Sequence, residues 1–333
     1  MTTDGRDRME VAHFTAFVGL GIRVRANDRA VVDQISSRLR RFTAPAQEYA
    51  DVCFDFQQVA ARQNHAIRPP SGPMRPVYDL PKGEVLYAPA SDQLYVDFDN
   101  RVRLLCSPGL GEVRISYRPE PHDTWLAAHP LFTLALVEMV KRRERYSIHA
   151  AGLSIDGKAL LLAGESGAGK STLALGLVRA GFDFLGDDTC FLAQDIDGVR
   201  VCAFPDEVDL TEETIGMFAE LSVPPLPGIG HTVKRQLLPE LVYAMRFVDE
   251  CKPRLILFPS VAHNDRSTLT RVDPPEALLR LAPNVLLTDA ASSQAHLSLL
   301  AAVVRQSECY ALDTGRDFQR LAEELRTLLC ELP

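Results

Sequence analysis

Apolar and polar positions alternate along the first third of this chain and then give way to longer apolar runs. "FVGLGIRVRA" alternates and ends in a polar turn, "RAVVDQISSRLRRF" has helical spacing, and "DVCFDFQQ" alternates again. These spacings predict strand, helix and strand. Proline-rich "RPPSGPMRPVYDLP", from Arg68 to Pro81, reads as loop or linker. Four short alternating runs follow, "EVLYAP", "QLYVDFDN", "VRLLCSP" and "EVRISYRP". Their turns carry Asp, Asn, Pro or Gly, which predicts an antiparallel meander.

"WLAAHPLFTLALVEMVKRRER" predicts one long helix, started or kinked by Pro130, with basic residues where a helix C-terminus favours them. Beyond it the pattern changes. "YSIHAAGLSI" and "KALLLAG" read as apolar strands around the turn "DGK", and "RLILFPSV" as a buried strand. A second proline cluster, "VPPLPGIG" at Val223 to Gly230, predicts a mobile surface loop, and "DFQRLAEELRTLLCEL" an amphipathic closing helix. No internal repeat is visible. The organisation expected is a smaller α+β domain over residues 1–125, able to recognise a substrate, followed by an α/β catalytic domain over residues 126–333.

Composition changes this picture little. The chain has 333 residues, 46% hydrophobic and 24% charged, as an ordinary globular protein does. A net charge of −8 argues against nucleic acid or an anionic membrane as a partner. The basic runs "RLRR" (Arg38 to Arg41) and "KRRER" (Lys141 to Arg145) read as solvated helix faces. Seven scattered cysteines without CxxC spacing suggest neither a zinc site nor a disulfide framework. No apolar leader or membrane-length stretch is present, so the expected location is cytoplasmic.

Chemistry enters at "GESGAGKSTLALGLVRAGFDFLGDD". Gly164, Gly169, Lys170 and Ser171 fit GxxxxGK[ST], preceded by an apolar strand and followed by a helical pattern that stops at Gly181. Such a loop curls so that backbone N–H groups meet phosphate oxygens at a helix N-terminus. Gly164, Glu165, Ser166, Gly167, Ala168, Gly169, Lys170, Ser171 and Thr172 are therefore the expected ATP-binding residues. Lys170 would meet the β- and γ-phosphates and Ser171 would ligate Mg2+. ATP rather than GTP is a default, since no base-reading motif is visible.

The acid pair Asp187 and Asp188 comes unusually soon after the loop. Strand, helix and strand with a minimal return would place both beside the γ-phosphate. There a carboxylate can hold magnesium or take the proton of an attacking hydroxyl. A solvated turn is the bland alternative. His149, in "SIHAAG", is by itself more often a core histidine, although strand pairing could bring it to the site. Lys234, Arg235 and Arg246 are basic candidates for stabilising transferred charge, and surface solubility explains each of them equally well.

The run from His149 through Asp188 resembles the catalytic core of the HPr kinase/phosphorylase family: a strand with histidine, G-[ED]-S-G-x-G-K-S, its helix, a glycine and an Asp-Asp pair. The resemblance implies an α/β, phosphoenolpyruvate-carboxykinase-like P-loop fold, in which the acid-bearing strand follows the loop helix at once. It implies Asp188 as general base toward a serine hydroxyl, His149 as its support and Asp187 as a metal-side or orienting neighbour. The match covers about 40 residues and extends weakly to "YALDTGRDFQRLAEELRTLL". The family's Glu-Ile-Arg-Gly-Leu-Gly string is absent, and the region reads "VCAFPDEVDLTEETIG". Asp206, Glu207 and Glu213 are candidate substitutes for its metal-binding glutamate; no motif selects among them, and Glu207 is taken as the candidate metal residue.

The chain looks more like divergent HPr-kinase-like proteins of ribosomal peptide pathways, some of which resemble lasso-peptide serine kinases. The function expected is an ATP- and Mg2+-dependent kinase acting on a serine or threonine of a peptide or small protein. A small-molecule kinase and a non-catalytic ATP-binding regulator are the alternatives. Family members often form hexamers, which leaves a homo-oligomer open.

Overall fold

The computed structural model describes residues 9–16, 19–46, 49–80, 82–204, 207–221, 234–262 and 264–332. The Val223–Gly230 loop and Asp206 lie outside them. The chain divides into two compact units, residues 1–143 with 287–289, and residues 144–286 with 290–333.

The first unit holds an eight-stranded sheet. Its strands are β1 (Glu10–Ala16), β2 (Leu20–Ala26), β3 (Val52–Gln58), β4 (Arg75–Leu80), β5 (Gly83–Ala88), β6 (Gln93–Phe98), β7 (Val102–Ser107) and β8 (Glu112–Tyr117). They lie in the order β1-β2-β3-β8-β7-β6-β5-β4, with β5 to β8 forming the antiparallel meander that the alternation predicts. Helix α1 (Arg29–Arg38) starts at Asp28, whose side chain accepts from the Ala30 N–H. Two expectations change here. Part of the proline-rich stretch is strand β4, which tolerates Pro76 because it is an edge strand with a register shift between Pro76 and Tyr78. The long helix is α2 (Pro121–Leu126), a π turn containing Pro130, and α3 (Phe132–Lys141). A proline interrupts the α ladder, and the wider turn absorbs the missing N–H.

This helical stretch packs within the first unit, so the compact unit extends to Arg143 rather than to residue 125. The basic runs are not wholly solvated either. Arg38 is buried, donating to the carbonyls of Ala128 and His129 and to Thr133 Oγ1. Lys141 is buried against Glu138 and Thr288.

The second unit is three-layered. Its main sheet runs β12-β10-β11-β17-β14-β13-β9, with β19 also paired to β17 and β18 to β19. These strands are β9 (Arg145–Ile148), β10 (Ala150–Ile155), β11 (Lys158–Ala163), β12 (Asp183–Gly186), β13 (Cys190–Asp195), β14 (Gly198–Cys202), β17 (Glu250–Val261), β18 (Thr268–Arg271) and β19 (Glu308–Thr314). A separate hairpin pairs β15 (Val208–Leu210) with β16 (Arg235–Leu237). Strand alternation splits the core. Leu161 and Ile256 pack with Leu299, Leu300, Val303 and Val304 of α7 (Ala290–Arg305) and with Ala277 and Leu281 of α6 (Pro274–Leu281). Leu160, Leu162, Leu255 and Leu257 pack with Leu173 and Leu177 of α4 (Lys170–Arg179) and Leu321 and Leu325 of α8 (Phe318–Glu331). Helices cover both faces, which explains why these strands read as continuous apolar runs. A short helix α5 (Glu212–Met217) follows β15. Among the described residues no helix is long and apolar enough to cross a membrane.

Candidate active site

Strand order explains the early acids. β10 lies between β11 and β12 and is antiparallel to both, so β11 and β12 run the same way. The loop after β11 and the acids after β12 therefore emerge at one edge of the sheet. β10 starts at that edge, which brings His149 there as well. The apolar pattern of "YSIHAAGLSI" predicts one strand. It is two, because the chain changes partners at His149, from β13 to β11 and β12. The His149 N–H donates to the Asn284 carbonyl at 2.8 Å instead of to a neighbouring strand.

The loop tip is open and its base is fixed. Gly167 and Gly169 take φ of 87° and 86°, the left-handed region that favours glycine. Lys170 opens α4 and is 5% exposed. Its ammonium donates to the loop carbonyls of Gly164 at 2.8 Å and Glu165 at 3.1 Å. Burial lowers its proton affinity, opposed by the charges of Asp188 and Asp187. A desolvated cation held by carbonyl dipoles at a helix N-terminus is suited to receive an anion.

The adjacent acids sit in different surroundings. Asp187 is 2% exposed, and its Oδ2 accepts from Ser171 Oγ at 2.8 Å. Its Oδ1 is buried with no hydrogen-bond partner among the described residues. Burial, and then the charge of Asp188, push its pKa up to about 8. The Asp188 side chain is 45% exposed and its backbone is left-handed, with φ of 59°. For a non-glycine residue that conformation costs on the order of 1 kcal/mol. His149 Nδ1 bonds the Asp188 carbonyl at 2.7 Å, and its Nε2 is 3.8 Å from Asp188 Oδ1. A carbonyl only accepts, so Nδ1 carries the proton. Burial lowers the proton affinity of the ring, which favours neutral imidazole near pH 7.

Ser171 and Asp187 fit a magnesium ion. The orphaned Oδ1 and the hydroxyl are hard oxygen donors of the kind it takes, and phosphates and water complete such shells. Among the described residues no group of three or more His, Cys, Asp or Glu side chains could hold a metal ion. Glu207 is half-buried immediately before β15, and Glu213 is exposed in the first turn of α5.

The basic candidates separate. Lys234 lies 3.7 Å from Asp209, and its charge lowers the proton affinity of both His149 and Lys170. Arg235 is paired with Glu212 at 2.7 Å. Arg246 pairs with Asp183 at 2.9 Å, at the start of β12 and so at the end opposite the acids. Sequence reasoning passed over Asp209, whose charge also raises Asp187, and Thr214, whose hydroxyl meets that of Thr172 at 2.7 Å. Neither belongs to a motif. Asp209 is set beside Lys234 by the pairing of β15 with β16, and β15 packs in the same core as α4.

No family model matches the chain, and no curated protein matches it. Among solved structures it is similar to the Hpr(Ser) kinase/phosphatase from Coxiella burnetii, with 15% identity over 55% of this chain and 93% of that one, at a TM-score of 0.27. So distant a likeness carries no weight for function, which is read from the residues of this chain.

Proposed function

We propose that this protein transfers the γ-phosphate of ATP to a serine or threonine hydroxyl of a peptide or small protein. The observation that carries the proposal is the convergence at one sheet edge of Lys170, the Ser171–Asp187 pair and Asp188. A nucleotide-binding protein needs the first two groups. It has little use for a half-exposed carboxylate whose backbone a histidine fixes beside them.

In this mechanism the loop amides and Lys170 hold the β- and γ-phosphates. Ser171 and Asp187 hold magnesium, which when bound neutralises developing charge on the phosphate oxygens. Asp188 accepts the proton of the acceptor hydroxyl as its oxygen bonds to the γ-phosphorus and the bond to the β-phosphate oxygen breaks, leaving ADP. His149 fixes the backbone of Asp188 and, being neutral, leaves its carboxylate basic. Lys234 stands where it can offset charge on the transferred group.

The test uses γ-labelled ATP and magnesium with a peptide and metabolite extract of the host, Asp188→Asn as control, and mass spectrometry of labelled products. Label on a peptide serine or threonine, lost in the variant, supports the proposal. Label on a metabolite replaces the acceptor class. Tight ATP binding without transfer, while a known kinase labels the same extract, overturns the catalytic role of Asp188.

A further inference from the structure

We propose that Thr214 is a positioning residue: through Thr172 it locks the β15–α5–β16 element to the phosphate-loop helix and thereby sets where Lys234 stands at the site. This rests on the proposed phosphotransfer, because Lys234 matters only if a phosphate lies between it and Lys170.

The path is short and continuous. Thr172 follows Ser171 on α4, and its hydroxyl lies 2.7 Å from that of Thr214. The Thr214 hydroxyl lies 3.0 Å from that of Thr211, which caps α5 by accepting from the Thr214 N–H at 3.2 Å. Leu210, the residue before Thr211, pairs with Arg235, and Asp209 pairs with Gln236. Asp209 meets the Gln236 amide at 3.2 Å and the Lys234 ammonium at 3.7 Å. Three hydroxyls and one strand pair thus connect the first turn of α4 to Lys234, the residue before β16.

Apolar packing alone does not give this register. Val208, Leu210, Phe218 and Leu237 share a core with Leu173 and Leu177, but such contacts are non-directional and tolerate sliding. A hydrogen bond does not: its strength falls steeply with distance and angle. Thr214 is 5% exposed, so water cannot readily take the place of the Thr172 hydroxyl. A buried threonine that served only to fill space would be as good as valine. Here both neighbouring hydroxyls lie within bonding distance, and one of them is on the residue next to the proposed magnesium ligand Ser171.

The test is hydrogen exchange read by mass spectrometry on the full chain, with and without magnesium and a non-hydrolysable ATP analogue, in wild type, Thr214→Val and Thr214→Ser. Circular dichroism confirms that each is folded, and Thr214→Ala serves if Thr214→Val is not. In wild type the analogue should slow exchange both in the loop (residues 164–172) and in the hairpin (residues 208–212 and 235–237). Thr214→Val should keep the first and lose at least about tenfold of the second, and Thr214→Ser should restore it. Alongside, Thr214→Val should lower kcat about tenfold with nucleotide Kd within about threefold. Lys234→Ala added to it should cost little more, because coupled residues are not additive. Hairpin protection unchanged in Thr214→Val, or full additivity with Lys234→Ala, overturns the positioning role while leaving the kinase proposal intact. Loop amides unprotected in wild type would remove the nucleotide site and this inference together.

Discussion

The protein buries two lysines in opposite ways. Lys141, at the end of α3, is 2% exposed and donates to Glu138 Oε1 and to Thr288 Oγ1 at 3.2 Å, while Thr288 Oγ1 reaches Glu138 Oε2 at 2.9 Å. Charge, counter-charge and hydroxyl close on themselves. Lys170 is 5% exposed and rests on two carbonyls. Burial lowers the proton affinity of both lysines, but the acid that opposes it is bonded to Lys141 and only nearby for Lys170. A closed arrangement supports a fold. An open one keeps a cation desolvated for an anion still to come, and that contrast is what the proposed phosphotransfer in the second unit draws on.

The sharpest way to break the comparison is to remove each ammonium in turn. Lys170→Met should lower phosphotransfer about 10³-fold with almost no loss of stability to urea; substantial residual transfer would show that the open cation is not functional. Lys141→Met should do the reverse. It leaves Glu138 as an uncompensated buried charge and should cost about 3 kcal/mol, with nucleotide affinity unchanged in the fraction that remains folded. A melting curve like that of wild type would mean that the closed triad contributes nothing.

The acids allow a test by pH. The native pKa of Asp187 is raised to about 8, so between pH about 4 and about 8 the ligand-free native state holds a proton that the unfolded chain has released. Stability should therefore fall as pH rises through that window, by about 4 kcal/mol between pH 5 and 8. Asp187→Asn should flatten this dependence in urea titrations at the two pH values. Magnesium with ATP should also expel the proton, detectable by calorimetry in buffers of different ionisation enthalpy. An unchanged slope in the variant would assign the dependence to another group.

The smallest effect distinguishes two neighbours. Arg235 is held by Glu212, and Arg235→Ala should alter transfer less than threefold and stability by under about 1 kcal/mol. Lys234→Ala should lower kcat tenfold or more. Equal effects would merge two side chains that the hairpin places differently.

Particular residues show how far the sequence could be read. The loop from Gly164 to Thr172 and the acids at Asp187 and Asp188 were legible because glycine spacing, an apolar strand before and a helical pattern after leave the chain few local options. The meander from β5 to β8 was legible for the same reason, since strand alternation and turn residues are local. Strand β4 was missed because proline outweighs alternation in any local reading, whereas an edge strand tolerates it. His149 was found, but its position at a break between two strands was not, because both halves are apolar and only their partners differ.

By itself the sequence determined the glycine-rich turn between strand and helix at Gly164–Thr172, the near return of the acid pair and the alternation of layers, all of which follow from local geometry over a few residues. Tertiary structure alone decided which charges are closed and which are open. Lys141 and Arg38 lie in basic runs that look solvated, and Lys141 is satisfied by Thr288, 147 residues further on. Thr214 owes its importance to Thr172, 42 residues earlier. The physical reason is that the cost of burying a polar group depends on the partner that compensates it, and that partner is chosen by packing and not by sequence spacing.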